Sequence, residues 1–348
     1  MKKIEKILVV NVNWLGDVVF STPVFKALRQ AYPGAKITCL GVPRIKAVLE
    51  NSPCVDAVMV YDEDGRHSTP WGKGRLILEL RRQKFDIVFL LHRSMTRALL
   101  AFLAGIPVRV GYDIKAKGPL LTHRVKAAAS EELLHRSDYY LRVVESFGVP
   151  VKDRICELRV DPAERMNIEE VLKKHGVNDK DFVVVVNVGG NWDLKRWPKE
   201  NFARLIYRLS REYTVKIVIP GAPKDVELVE SIARTSEVSP IILAGQTNLK
   251  QLASLLQRAN LVISSDSGPL HVAHGVGTSV IGLFGPTRLE VTGPRGKGGQ
   301  AVIFKDVGCN RQPCYHLRCP DNICMQSITV DEVLEKVRQL PMPIPQRA

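Results

Sequence analysis

The chain has 348 residues, 45% hydrophobic and 25% charged, with a net charge of +14. This composition excludes a disordered chain, and at roughly 150 residues per domain it leaves room for two cores. No run reaches the roughly 20 apolar residues of a membrane span, and no apolar signal region follows the basic start Met1-Lys2-Lys3, because Asn11, Asn13 and Asp17 interrupt it; the expectation is a cytoplasmic protein.

Lys6 to Asn11 is a short β-branched run suited to a buried parallel strand. Asn13-Trp14-Leu15-Gly16-Asp17 breaks it. Val18, Val19, Val24, Phe25 and Leu28 then give one helical apolar face, ending near Tyr32-Pro33-Gly34. Further strands are expected at 35–40, 56–61 and 85–91. Between the last two, Asp62 to Arg75 is rich in Gly, Pro and charge and reads as an exposed, mobile loop. The pattern restarts after residue 150, with a charged helix over 162–175 and a strand over 181–187 that ends in Gly189-Gly190. Helices at 197–213, 222–235 and 248–258 alternate with strands at 215–219, 241–243 and 261–264, and another strand is expected at 278–284. A last helix over 329–339 opens with the capping-box pattern Thr329-Val330-Asp331-Glu332 and is ended by Pro341, Pro343 and Pro345. Strands alternating with helices predict two doubly wound parallel-sheet α/β domains. The boundaries are drawn at 1–158, 159–328 and a helix-and-tail segment, 329–348.

Ligands of such sheets bind beyond the C-terminal ends of the strands, so the loops after strands are the places to look. Ser264-Ser265-Asp266-Ser267-Gly268-Pro269-Leu270-His271 follows one strand and opens a helix. Its free backbone N–H groups make an anion site, and Gly268 admits a phosphate close to the main chain. Asp266 is placed to accept from sugar hydroxyls, or Asp266 and Ser267 serve only as caps. Asn187 to Pro198 offers the pair Gly189-Gly190 and then Lys195, a phosphate cradle, while Trp197 reads as a core plug. Asp17 is either a general base whose pKa is raised by partial burial or the N-cap of the first helix. Asp225 either takes a ribose diol or caps its helix. The nicotinamide fingerprint and the P-loop are both missing from their expected places.

Asn11 to Asp17, Gly189 to Pro198, and Ser264 to Thr287, which ends Leu283-Phe284-Gly285-Pro286-Thr287, closely resemble family 9 glycosyltransferases, the heptosyltransferases of lipopolysaccharide core assembly. The resemblance runs in order over nearly the whole chain. It implies a GT-B fold, with two Rossmann-like domains facing a central cleft, the acceptor on the N-terminal one and the sugar nucleotide on the C-terminal one. It implies ADP-heptose as donor and inverting transfer to a lipid-linked inner-core sugar, with no cofactor or metal required. By motif position, Asp17 would be the catalytic base. Gly190, Asn191 and Lys195 would hold the donor phosphates, Asp225 the ribose, and Thr247 would lie near the adenine. Asp266, Ser267 and Gly268 would contact the heptose and diphosphate, with His271 close by.

Of the +14, residues 1–150 carry +9, from 23 Lys and Arg against 14 Asp and Glu. A basic half suggests an acidic partner. No nucleic-acid-binding signature is present, and the resemblance supplies an acidic, lipid-linked core acceptor and peripheral contact with the cytoplasmic face of the inner membrane. Arg66, His67, Lys73, Arg75, Arg93 and Arg97 are the cations considered for it, against a reading as solvated surface charge. Cys309, Cys314, Cys319 and Cys324 recur every five residues, open to a structural metal or disulfide or to free thiols. Two other readings of the whole chain stay open: a GT-B transferase or epimerase with a different donor, and a non-catalytic nucleotide-sugar binding protein.

Overall fold

The computed structural model describes residues 3–114, 116–126, 133–314, 319–340 and 344–347. The chain divides into two compact units, Met1–Arg159 and Val160–Ala348. The first unit runs β1 (Lys6–Val10), α1 (Leu15–Phe20), α2 (Thr22–Ala31), β2 (Lys36–Gly41), α3 (Pro43–Leu49) and β3 (Ala57–Val60). It continues with α4 (Pro70–Gln83), β4 (Ile87–Leu90), α5 (Met95–Leu103), β5 (Val108–Tyr112), β6 (His123–Val125) and α6 (Arg136–Glu145). The second runs α7 (Pro162–Lys174), β7 (Val183–Asn187), α8 (Lys199–Glu212), β8 (Lys216–Gly221), α9 (Val226–Thr235), β9 (Ile241–Ala244) and α10 (Leu249–Arg258). Then come β10 (Leu261–Ser265), α11 (Gly268–Gly275), β11 (Ser279–Phe284), α12 (Leu289–Thr292), β12 (Gln300–Phe304), α13 (Ile323–Gln326) and α14 (Val330–Gln339).

Among the described residues each unit holds one six-stranded sheet. The orders are β3-β2-β1-β4-β5-β6 and β12-β11-β10-β7-β8-β9, with every pair parallel. Counted from its own first strand, each sheet has the order 3-2-1-4-5-6 of the dinucleotide-binding fold. The central strands are apolar throughout because helices cover both faces: in β7 Val183, Val184, Val185 and Val186 are all fully buried. The first helix differs from the single one expected. Ser21 ends α1, its hydroxyl donating to the Val18 carbonyl at 2.7 Å, and Pro23 restarts the chain as α2. The last helix, α14, carries the expected capping box at Thr329 and Glu332 and buries Val330, Val333, Leu334 and Val337 in the core of the second unit. Pro341 and Pro343 lie outside the described residues.

Candidate active site

A doubly wound sheet binds ligands where its strand order reverses, because the loops leaving the two strands there diverge and open a crevice. In the first unit that point lies between β1 and β4. β1 runs through Asn11–Trp14 into the first turn of α1, which holds Asp17. Trp14 occupies the N-cap position, so capping does not account for Asp17. Its carboxylate accepts a 2.8 Å hydrogen bond from the Tyr140 hydroxyl on α6. Burial, and then the charge of Asp17, push that hydroxyl well above its usual range, which keeps it a donor. A cavity of about 300 Å³ opens at Asp17, with Arg44, Arg93 and Arg136 in its wall. Arg93 donates to the Tyr139 hydroxyl at 3.0 Å and lies over that ring at 4.8 Å, while Arg44 lies 5.5 Å from the Trp14 ring. A carboxylate among three guanidinium groups suits a ligand that carries negative charge and presents a hydroxyl to Asp17.

In the second unit the strand order reverses between β7 and β10. Asn187 ends β7 in register with Ser264 of β10. Its amide donates to Ser264 Oγ at 2.9 Å, Ser267 Oγ at 3.1 Å and the Gly189 carbonyl at 3.3 Å, joining the two loops. Ser267 sits at the N-cap of α11, yet its side chain makes no capping bond; it is taken up by Asn187 and Ser264. Gly268 and Pro269 follow as the first turn of α11, whose N–H groups lack intrahelical acceptors.

Asp266 is buried and surrounded. Its Oδ2 accepts from Lys195 Nζ at 2.6 Å, Thr287 Oγ1 at 2.7 Å and Thr292 Oγ1 at 3.4 Å; Oδ1 faces His271 Nε2 at 3.2 Å. Burial pushes the carboxyl up, but the His271 hydrogen bond and the Lys195 charge outweigh it and hold Asp266 well below the usual carboxylate range. An ionised carboxylate only accepts, so His271 Nε2 carries the hydrogen. Three donors meet at Oδ2 and one at Oδ1, so Asp266 fixes the positions of Lys195 and His271. Asp225 makes no capping bond to α9; its Oδ2 accepts from the Ala222 N–H at 3.1 Å. It lies against Gly189, where a Cβ would come within 2.6 Å of Oδ2, whereas Gly190 faces open space. Asn191 Oδ1 accepts from Lys224 at 2.8 Å. Thr247 follows β9 at the edge of the sheet, with β8 between that strand and β7, and is half-buried just before Asn248, the cap of α10.

The family model described as glycosyltransferase family 9 (heptosyltransferase) matches residues 73–322. The chain belongs to glycosyltransferase family 9. Lipopolysaccharide heptosyltransferase 3 of Escherichia coli K12 is 30% identical to it over 78% of this chain and 80% of its own. Lipooligosaccharide heptosyltransferase 2 of Haemophilus ducreyi is 26% identical over 96% of this chain and 99% of its own. The crystal structure of the glycosyl transferase family 9 from Veillonella parvula DSM 2008 superimposes with a TM-score of 0.86 at 28% identity, covering 97% of this chain and 98% of that one. The protein is therefore a glycosyltransferase enzyme with the GT-B fold.

Several residues of this family 9 glycosyltransferase stand differently from the sequence expectation. The segment 62–75 is not a loop throughout. The Asp62 carboxylate accepts from the N–H groups of Gly65 and Arg66, both at 3.1 Å, and the Asp62 N–H donates to His67 Nδ1 at 2.9 Å. Thr69 then caps α4. His67 is buried, and burial pulls its pKa below the usual value, so it is a neutral structural residue and no cation for an acceptor. Arg97 is 1% exposed and likewise structural. It donates to the Asn11 carbonyl and to Asn13 Oδ1, both at 2.7 Å, and pairs with Glu63 at 3.3 Å. It thereby holds the loop that delivers Asp17. Of the cations considered, Arg93 lines the cavity; Arg66, Lys73 and Arg75 do not. Arg44, Arg136 and Tyr140 were missed, since only the fold brings them to Asp17. Trp197 is a core plug as expected, 1% exposed, its indole N–H donating to the Ile328 carbonyl at 2.9 Å. Cys309, Cys314, Cys319 and Cys324 are separate thiols, and among the described residues no group of three potential ligands forms a metal site. Asn322 lies between two of them, its N–H donating to Cys319 Sγ at 3.3 Å.

Proposed function

We propose that this enzyme transfers heptose from ADP-heptose to an acidic inner-core sugar of lipopolysaccharide, in a single displacement that inverts the anomeric centre. The observation that carries the acceptor half is the Asp17 carboxylate, opening on a cavity walled by Arg44, Arg93 and Arg136. Asp17 takes the proton from an acceptor hydroxyl as its oxygen attacks the anomeric carbon, and the arginines hold the carboxylate or phosphate groups of the acceptor. Tyr140 donates to Asp17 Oδ1 and so fixes the orientation of the base.

The donor half rests on the second loop cluster. Lys195 and the N–H groups at the start of α11 face the negative charge that grows on departing ADP. Asp266 keeps Lys195 extended at that spot through its 2.6 Å ion pair. Gly190 and Asn191 lie along the diphosphate, Asp225 at the ribose and Thr247 towards the adenine; Ser267, Gly268 and His271 border the heptose. No step in this scheme calls on a metal or an organic cofactor, and peripheral contact with the inner membrane gives access to a lipid-linked acceptor.

The test is ADP release from ADP-heptose with and without the lipid-linked acceptor. Release that depends on the acceptor supports the reading; equal release without it means hydrolysis. Asp17→Asn should lower kcat by about 10²- to 10⁴-fold, the usual range for a lost general base, while titration calorimetry shows unchanged ADP affinity. Near-normal turnover by that variant would remove Asp17 from the mechanism.

A further inference from the structure

The first unit exposes apolar side chains where helices of a covered sheet should bury them. On α5, Met95, Leu99, Phe102 and Leu103 are 37%, 41%, 44% and 42% exposed. Their i, i+4, i+7, i+8 spacing makes one continuous stripe on the face opposite the buried Arg97. The neighbouring helix α4 packs against α5 and presents a second stripe, Trp71, Arg75, Leu78 and Arg82, at i, i+4, i+7 and i+11. Trp71 is 86% exposed and Leu78 52%. Cations border both stripes: Arg81 donates to the Leu103 carbonyl at 2.8 Å, and Arg109 lies 5.2 Å from the Phe102 ring.

We propose that this α4–α5 face docks on the surface of a bilayer containing anionic lipids. Interleaving decides the occupant. Trp and Leu beside Arg on one helix face suit the boundary between acyl chains and headgroups, where the rings and branches sink in and the guanidinium groups reach phosphate. The only acid in α4 is Glu79. A second copy fits poorly, because a twofold contact would set Arg75 and Arg82 against the same charges. The start of the face also lies close to the proposed acceptor site: α5 begins two residues after Arg93, which lines the cavity at Asp17. That link rests on the proposed transfer reaction; the docking face itself does not.

The experiment is co-sedimentation of the full chain with vesicles of phosphatidylcholine alone or mixed with phosphatidylglycerol. Binding is expected only to the mixed vesicles and should weaken with salt. Leu99→Ser/Phe102→Ser and Arg75→Glu/Arg82→Glu, each checked for folding by circular dichroism, should each weaken it by about tenfold or more. Failure to sediment with either vesicle, or variants that bind like the parent, overturns the proposal. A solution dimer abolished by Leu99→Ser/Phe102→Ser, with no vesicle binding, does so in favour of a second copy. Transfer to a soluble core oligosaccharide without lipid should be unchanged in Leu99→Ser/Phe102→Ser. If the parent enzyme performs no such transfer, the catalytic reading fails while the vesicle result stands.

Discussion

Asp266 shows how one side chain can organise a site through its partners. Its charge is stabilised in the folded protein by His271 and Lys195 against the cost of burial. Because its folded pKa lies below the unfolded value of about 4, the stabilisation is complete above that value and disappears as pH falls through the folded one. The resistance of the parent to urea should therefore fall between about pH 4 and about pH 2. Asp266→Asn, which leaves Lys195 without its buried partner, should lose about 3 kcal/mol at pH 7 and show a flatter response to acid in that window. An equally steep acid response in the variant would place the titrating group elsewhere. The motif Asp-Ser-Gly-Pro was plain in the sequence, but the roles within it were not. Ser267 has the composition of a cap, and its hydroxyl is instead spent on Asn187, 80 residues away. Tyr140 reaches Asp17 across 123 residues, and no local pattern marks such a pair.

At the scale of the elements, the legible parts were the buried ones. β1, β4, β7, β10 and β11 are apolar enough to be recognised without periodicity, since helices cover them on both sides. β5, β6 and β12 went unrecognised. β6 and β12 lie at the sheet edges, β6 has three residues, and exposed side chains dilute the apolar signal of both. The segment before α4 looked like a loop by composition because its glycines and charges cap turns and a helix start. The loop after β7 shows what glycine does for an element's end. Gly189→Ala would put a Cβ onto the Asp225 carboxylate, whereas Gly190→Ala meets nothing. The first variant should lose about 1–3 kcal/mol in thermal melts and bind ADP more weakly; the second should melt like the parent. Equal melting temperatures would mean that Asp225 moves aside at no cost.

At the scale of the molecule, each unit has its own sheet and its own hydrophobic core. Two separate cores predict two calorimetric transitions, and a nucleotide that binds only the second unit should raise one of them by mass action. With ADP at 100 times its Kd the gain is about 2.7 kcal/mol; a matching rise in both transitions would contradict independent units. The exposed face on α4 and α5 carries a kinetic consequence. An enzyme seated there meets its acceptor by lateral diffusion, so its rate follows the mole fraction of acceptor in the surface, not its molarity in the tube. Diluting the acceptor with inert lipid at fixed total amount should then slow turnover, while diluting the whole suspension with buffer, once the enzyme is bound, should not.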